Sequence, residues 1–329
     1  MRRLSVLFGL VVFVAAPGLL RAEESAEEAP AEAKAEATQE DAVEQPPPWL
    51  WTSAGLGVSG FPSGLILDLK GQYRVPLWNS KSILFEETYA GAGMRLAITP
   101  AFIDVGPRLS FAPIAIFDVD VQAGYQLVWP SGSGLVPFPD LTVSKLETDR
   151  NPRHRDGTAP ARSGAFGYLS VAPTLKVKVG PIIAFDAWDL TWFRVRPHSE
   201  ETSDLLYEAY RDMIITRNDF GYEHQAAVVY EIFDGKGGPL LWVGATYRDR
   251  KMFGSGDRSM NVGALAIYKP FDSPIWPKLV VQVLPYLKYA TESRIGGGPN
   301  TAFLLSWGHD FQLGWKSEVK ETVAALRAF

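Results

Sequence analysis

The chain has no cysteine and only four histidines in its 329 residues. Without thiols there is no disulfide framework and no thiolate metal site, and the isolated histidines have no ligand spacing between them. Long apolar runs are also missing. After Leu20 no stretch stays apolar for the roughly 18 residues that a membrane helix requires, which removes helical spans. A surplus of one charge is confined to a single segment. Nine acidic residues lie between Glu23 and Glu44; without them and the bases Arg2, Arg3, Arg21 and Lys34, 28 acidic and 28 basic side chains remain. A neutral remainder leaves no electrostatic footprint for nucleic acid.

What is present begins with alternation. From Phe117 to Trp129 the residues Phe117, Val119, Val121, Ala123, Tyr125, Leu127 and Trp129 interleave with Asp118, Asp120, Gln122, Gly124, Gln126 and Val128. One face is apolar and ends in aromatics, and the other is acidic and polar. A strand of about 13 residues with this pattern suits a bilayer crossing with lipid outside and water inside. Turn residues delimit twelve such strands, at 52–61, 65–78, 83–98, 102–113, 116–129, 164–179, 182–196, 221–233, 239–252, 260–271, 278–293 and 301–315. Sending the first strand outward puts the short turns on one side and the two longest connections, 130–163 and 197–220, on the other. An even count and long loops outside are what such a barrel requires. The segment 204–216 fits an outer loop, as a helix or a strand extension.

The rest of the chain frames this region. Met1, Arg2 and Arg3 precede an apolar stretch from Leu4 to Leu20 with a cleavage site at Leu20-Arg21-Ala22, so residues 1–22 read as a signal peptide. Residues 23–48 are an acidic Ala/Glu/Pro-rich linker with little to bury, expected to be disordered and periplasmic. Pro46-Pro47-Pro48 stiffens its end, and Trp49 and Trp51 follow as expected interface anchors. The barrel is expected over 49–315. Residues 316–329, with Val319, Val323 and Leu326 at helical spacing, are expected to form a short periplasmic helix.

In the last strand, Ser306, Gly308, Phe311 and Leu313 resemble the insertion signal of bacterial outer-membrane β-barrel proteins. The resemblance, to the porin-like class and to no specific family, extends from Thr52 to Trp315. It implies an all-β fold, a single antiparallel transmembrane barrel in the outer membrane. It also implies delivery by periplasmic chaperones and insertion by the barrel assembly machinery, with outer-membrane lipid and lipopolysaccharide as neighbours. Oligomeric state is left open.

Alternation assigns side chains to the lumen, among them Arg95, Arg108, Asp118, Asp120, Gln122, Lys176, Lys178, Asp186, Arg194, Arg196, Glu223 and Arg248. Twelve strands lie between a barrel filled by its own side chains and one with an open channel. The mixed charges therefore either line a narrow wet pore or pair and close it. In the loop 145–162, Arg150, Arg153, His154, Arg155 and Arg162 form a basic group, read as a solvated loop, a contact for lipopolysaccharide phosphates or a constriction. Catalytic signals are thin: His224 and His309 fall on the lipid-facing parity, but neither has a serine beside it to act as nucleophile. No catalytic, cofactor or metal site is expected. The expected activity is passage of small polar solutes; the alternatives are a scaffold barrel and a lipid-modifying hydrolase.

Overall fold

The computed structural model describes residues 48–60, 63–78, 85, 88–130, 135–138, 162–198, 204–208, 211, 213–234, 236, 238–271, 278–284, 286–289 and 300–312, the last thirteen as backbone. The expected signal peptide, residues 23–47 of the expected linker, most of the basic loop, Leu313 and the expected C-terminal helix lie outside the described residues.

In chain order the strands are β1 (Trp49–Gly60), β2 (Ser63–Pro76), β3 (Tyr89–Ile98), β4 (Phe102–Ile114), β5 (Phe117–Val128), β6 (Leu135–Phe138), β7 (Gly164–Val179), β8 (Ile182–Pro197), β9 (Leu205–Glu208), β10 (Met213–Thr216), β11 (Asn218–Asp234), β12 (Leu240–Met252), β13 (Arg258–Lys269), β14 (Lys278–Leu284), β15 (Tyr286–Tyr289) and β16 (Asn300–Gln312). All twelve expected strands are present, the eleventh divided into β14 and β15. Successive strands pair antiparallel: β1 through β5 in order, then β5 with β7, β7 with β8, β8 with β11, and β11 with β12. β12 continues to β13, β13 to β14, β14 to β16, and β16 returns to β1. The pairings thus run in a ring, the arrangement by which a barrel satisfies the N–H and C=O groups of its strands against one another in lipid.

The outer surface of the ring is apolar. Leu67, Met94, Leu109, Tyr125, Leu169, Val228 and Val243 are all exposed, on alternate positions of their strands. In water such a surface would be a liability; in a bilayer it is the solvated one. The two long connections, β5 to β7 and β8 to β11, emerge at the same end of the ring, here the loop end. Two-residue turns at Ala115-Ile116 and Gly180-Pro181 close hairpins at the opposite turn end.

The connections themselves carry β6, β9 and β10, which form a separate three-stranded antiparallel sheet. The segment 204–216 is therefore neither a helix nor a continuation of β8 or β11. Its described residues form two short strands that pack on the inner wall of the barrel. A second correction concerns Trp49 and Trp51, which share the inward parity of Arg74 and Gln72, their partners on β2. Trp49 meets Tyr89 edge-on with ring centroids 6.0 Å apart, and Trp51 lies under the Arg74 guanidinium at 4.2 Å. Both rings face the lumen because the partner strand presents cations there, a contact that linear position alone does not reveal.

Candidate functional site

The lumen is built from the inward positions of each strand. On β2, β3 and β4, Asp68 pairs with Lys70 (3.1 Å) and Arg95 (2.9 Å), and Arg95 reaches Asp104 at 3.7 Å. The Tyr168 hydroxyl, from β7, donates to Asp104 at 2.8 Å and accepts from Gln122 Nε2 at 2.5 Å. Its ring lies across Gly124, its cross-strand partner, where a Cβ would collide with the ring. Glycine is thus required for β5 and β7 to hold this tyrosine over the strand.

Nearer the turn end, Arg108 makes a two-pronged contact with Asp120 (3.0 and 2.6 Å), and Ser110 donates to the same carboxylate. Gln72 Nε2 donates to Ser110 Oγ at 2.5 Å, and Arg74 donates to Gln72 while sandwiched between Trp51 and Tyr89. Asp118 pairs with Lys176 and Glu231 with Lys178 (3.0 Å), whereas Glu223 pairs with Arg248 (3.0 Å) nearer the loop end. Lys176 and Lys178 are more than half exposed, so water enters the turn end of the lumen.

The opposite wall is different. Ala227, Val229 and Leu265 are buried and pack with Ile183, Phe185, Trp242 and Ile267, all on inward positions of β8, β11, β12 and β13. The lumen therefore has a charged side and an apolar side. Runs such as Ile182-Ile183-Ala184-Phe185, apolar on both faces, carried that signal, because a strand that is wet inside would not spend both parities on apolar residues.

The loop end holds the small sheet. Leu135, Leu206, Met213 and Ile215 of the small sheet are buried against inward residues Ala97, Phe102, Val128, Phe166, Phe193, Val195 and Met252 of the barrel wall. Arg211, at the turn between β9 and β10, points its guanidinium over Phe166 and Phe193, 5.7 and 5.9 Å from their centroids. Its carbonyl accepts from Arg250. This plug is held by the outer turn 253–257. Ser255 Oγ donates to the Ile214 carbonyl at 2.5 Å, and the Asp257 carboxylate accepts the Ile214 N–H at 2.8 Å, so both backbone groups of Ile214 are fixed. Gly256, at φ 76°, supplies the left-handed conformation that turns Asp257 back toward the plug. Asp219 accepts from the N–H groups of Thr216 and Gly254 and ties the plug's exit to the same turn.

Of the expected lumen residues, Arg95, Arg108, Asp118, Asp120, Gln122, Lys176, Lys178, Glu223 and Arg248 face inward. Arg194, Arg196 and Asp186 face outward, a correction to the sequence reading. At the loop end Phe193 and Val195 turn inward to meet the plug, so the apolar side of β8 is its inner side there. Asp186 lies beside His224, at 2.7 Å from Nε2, and His224 stacks on Trp188 with centroids 4.1 Å apart. This His–Asp pair was missed because its members are 38 residues apart. It lacks a nucleophile: the outward neighbours on β8, β11 and β12 are Ala184, Leu190, Tyr222, Ala226, Ala245 and Tyr247, with no serine or threonine among these described positions. Of the residues expected to form an insertion signal, Ser306, Gly308 and Phe311 lie on β16 opposite Gly55, Ser53 and Leu50 of β1, at the seam that closes the ring.

A closed antiparallel ring with an apolar exterior and a charged interior is built to cross a membrane. The chain folds as an antiparallel β-barrel with the surface of one that spans a membrane. No family model and no curated protein matches it. Among solved structures it is similar to the β-domain of the Bordetella autotransporter BrkA, at 10% identity and a TM-score of 0.42, covering 82% of this chain and 100% of that one. It is also similar to an outer membrane channel from Pseudomonas putida F1 (11%, TM-score 0.34, covering 83% and 98%). LpxR from Salmonella typhimurium is a third (11%, TM-score 0.29, covering 79% and 99%).

Proposed function

We propose that this barrel is a gated passage for small polar solutes, with its loop end facing the cell exterior and its plug in the closed position. The observation that supports this most is a contrast of materials. A lumen lined with paired charges has, packed inside one end, an apolar sheet that belongs to the loops and not to the barrel wall. Because, among the described residues, β9 and β10 pair with each other and with β6 and with no strand of the barrel, the plug can leave without breaking a barrel strand. The charged wall offers hydrogen-bonding groups to a polar solute, while the apolar wall from Ile183 to Ile267 accommodates a short apolar portion. Delivery by periplasmic chaperones and insertion by the assembly machinery, through the signal at Ser306 to Leu313, belong to the same proposal.

The test is a planar-bilayer recording that compares the native protein with a variant in which 204–216 is replaced by a short Gly/Ser linker. The native protein should open rarely and the variant should conduct steadily. A variant that keeps its heat-modifiable gel migration and passes no current at any voltage would remove the pore reading. A second reading, a lipid-modifying hydrolase, is favoured by the His224–Asp186 contact on the lipid face. It requires that purified barrel cleave a phospholipid or glycolipid ester and that His224→Gln abolish this.

A further inference from the structure

The outward face of β8 at the loop end ends in two cations, Arg194 and Arg196, both exposed. Beneath them is an aromatic band: Trp192 stacks on Phe220 at 4.5 Å, and Phe220 stacks on Phe253 at 5.2 Å. Between β7, β8 and β11 the wall is hollowed into a shallow recess of about 490 Å³, within the ~300–1,000 Å³ range of small-ligand sites. Its outward lining is Gly167, Leu169, Trp192, Arg194, Asn218 and Phe220. Gly167 is the cross-strand partner of Arg194, and a Cβ added there would meet nothing within 4 Å, so the floor beside the guanidinium is empty.

The nearby carboxylates among the described residues are committed elsewhere. Asp186 holds His224, Asp249 holds Arg258 at 2.6 Å, Asp204 lies by Arg217, and Asp219 accepts backbone N–H groups. An arginine on a membrane-facing wall is costly in hydrocarbon and favourable at the depth of phosphate headgroups. Its planar fork matches a phosphate with two parallel hydrogen bonds.

We propose that this recess binds one molecule of a phosphorylated acyl glycolipid, the lipid A portion of lipopolysaccharide. Its phosphate sits on the guanidinium groups of Arg194 and Arg196. One of its acyl chains lies over Gly167 against Leu169 and Trp192, below the cations. The choice of this lipid over an inner-leaflet phospholipid rests on the orientation proposed above, with the loop end outside. The site is independent of whether the lumen conducts.

The experiment is native mass spectrometry of the full barrel in mild detergent, titrated with bisphosphorylated lipid A, with the same lipid after phosphate removal, and with phosphatidylglycerol. The native barrel should retain bisphosphorylated lipid A, and binding should fall tenfold or more both for the dephosphorylated lipid and for the double variant Arg194→Gln/Arg196→Gln. Gly167→Leu, which keeps both cations but fills the recess, should weaken retention similarly. Equal retention by these variants, or a loss equally produced by Lys236→Gln at the far turn, would overturn the site. Tighter binding of phosphatidylglycerol would overturn the choice of lipid. Whole-cell labelling of a tag in 198–204 reads the orientation separately, and labelling only after lysis would overturn the glycolipid assignment.

Discussion

Replacing Asp257 with alanine removes the acceptor of the Ile214 N–H at the centre of the latch. Asp257 is fully buried, and Ile214 is also fully buried within the plug. The orphaned N–H then has no partner while the plug is seated, which costs about 2 kcal/mol, whereas in the open state water satisfies it. Since about 1.4 kcal/mol is a factor of ten, the closed-to-open ratio should fall roughly 30-fold. Ser255→Ala frees the Ile214 carbonyl and, inside the turn itself, the Asp257 N–H; only the first of these contacts joins the turn to the plug, so the shift should be smaller, on the order of fivefold for about 1 kcal/mol. Asp257→Asn, which keeps an acceptor oxygen, should fall between native and alanine. The assay is single-channel recording. Open probability should rise in the order native, Asp257→Asn, Asp257→Ala, while the unit conductance stays unchanged, because the lumen wall has not been altered. The argument would be refuted if barrels with native gel migration showed the same open probability in all variants. It would be refuted equally if conductance changed and open probability did not, since the latch would then be part of the pore wall.

In a variant lacking 204–216, Asp118→Lys with Asp120→Lys should shift permeability toward anions, because both carboxylates face the lumen and their partners Lys176 and Arg108 would be left unbalanced; reversal potentials in a salt gradient check this, and an unchanged preference removes these residues from the pathway. Tyr168→Phe should cost about 1–2 kcal/mol in denaturant unfolding in detergent, since Asp104 and Gln122 each lose a partner. Tyr168→Ala should cost more, because the ring that covers Gly124 is lost as well; equal midpoints for the two variants would contradict this. Trp51→Ala should leave the outward surface and gel migration native yet alter the unit conductance of the unplugged barrel, because it frees Arg74 from its aromatic sandwich. If the conductance stays the same, Arg74 is not in the conducting path.

The sequence determined the strands. Alternation with period two, interrupted by turn residues, located all twelve spanning segments within a few residues at most ends, because a lipid-facing and a water-facing side chain cannot exchange places without a large penalty. It likewise put Asp118, Asp120 and Gln122 on one inward face, since neighbours on a strand inherit their parity. What it could not determine is what lay across the lumen. The polarity of Phe193, Arg194, Val195 and Arg196 is inverted at the loop end because β6, β9 and β10 bring an apolar sheet into the mouth, and that sheet is assembled from segments about 70 residues apart. Trp51 meets Arg74, His224 meets Asp186, and Ile214 meets Asp257 only once the ring has closed. Strand identity is a local property of each segment's own pattern, whereas which inner surface is wet, which is dry and which loop fills it depends on distant strands, and only the tertiary structure decided it.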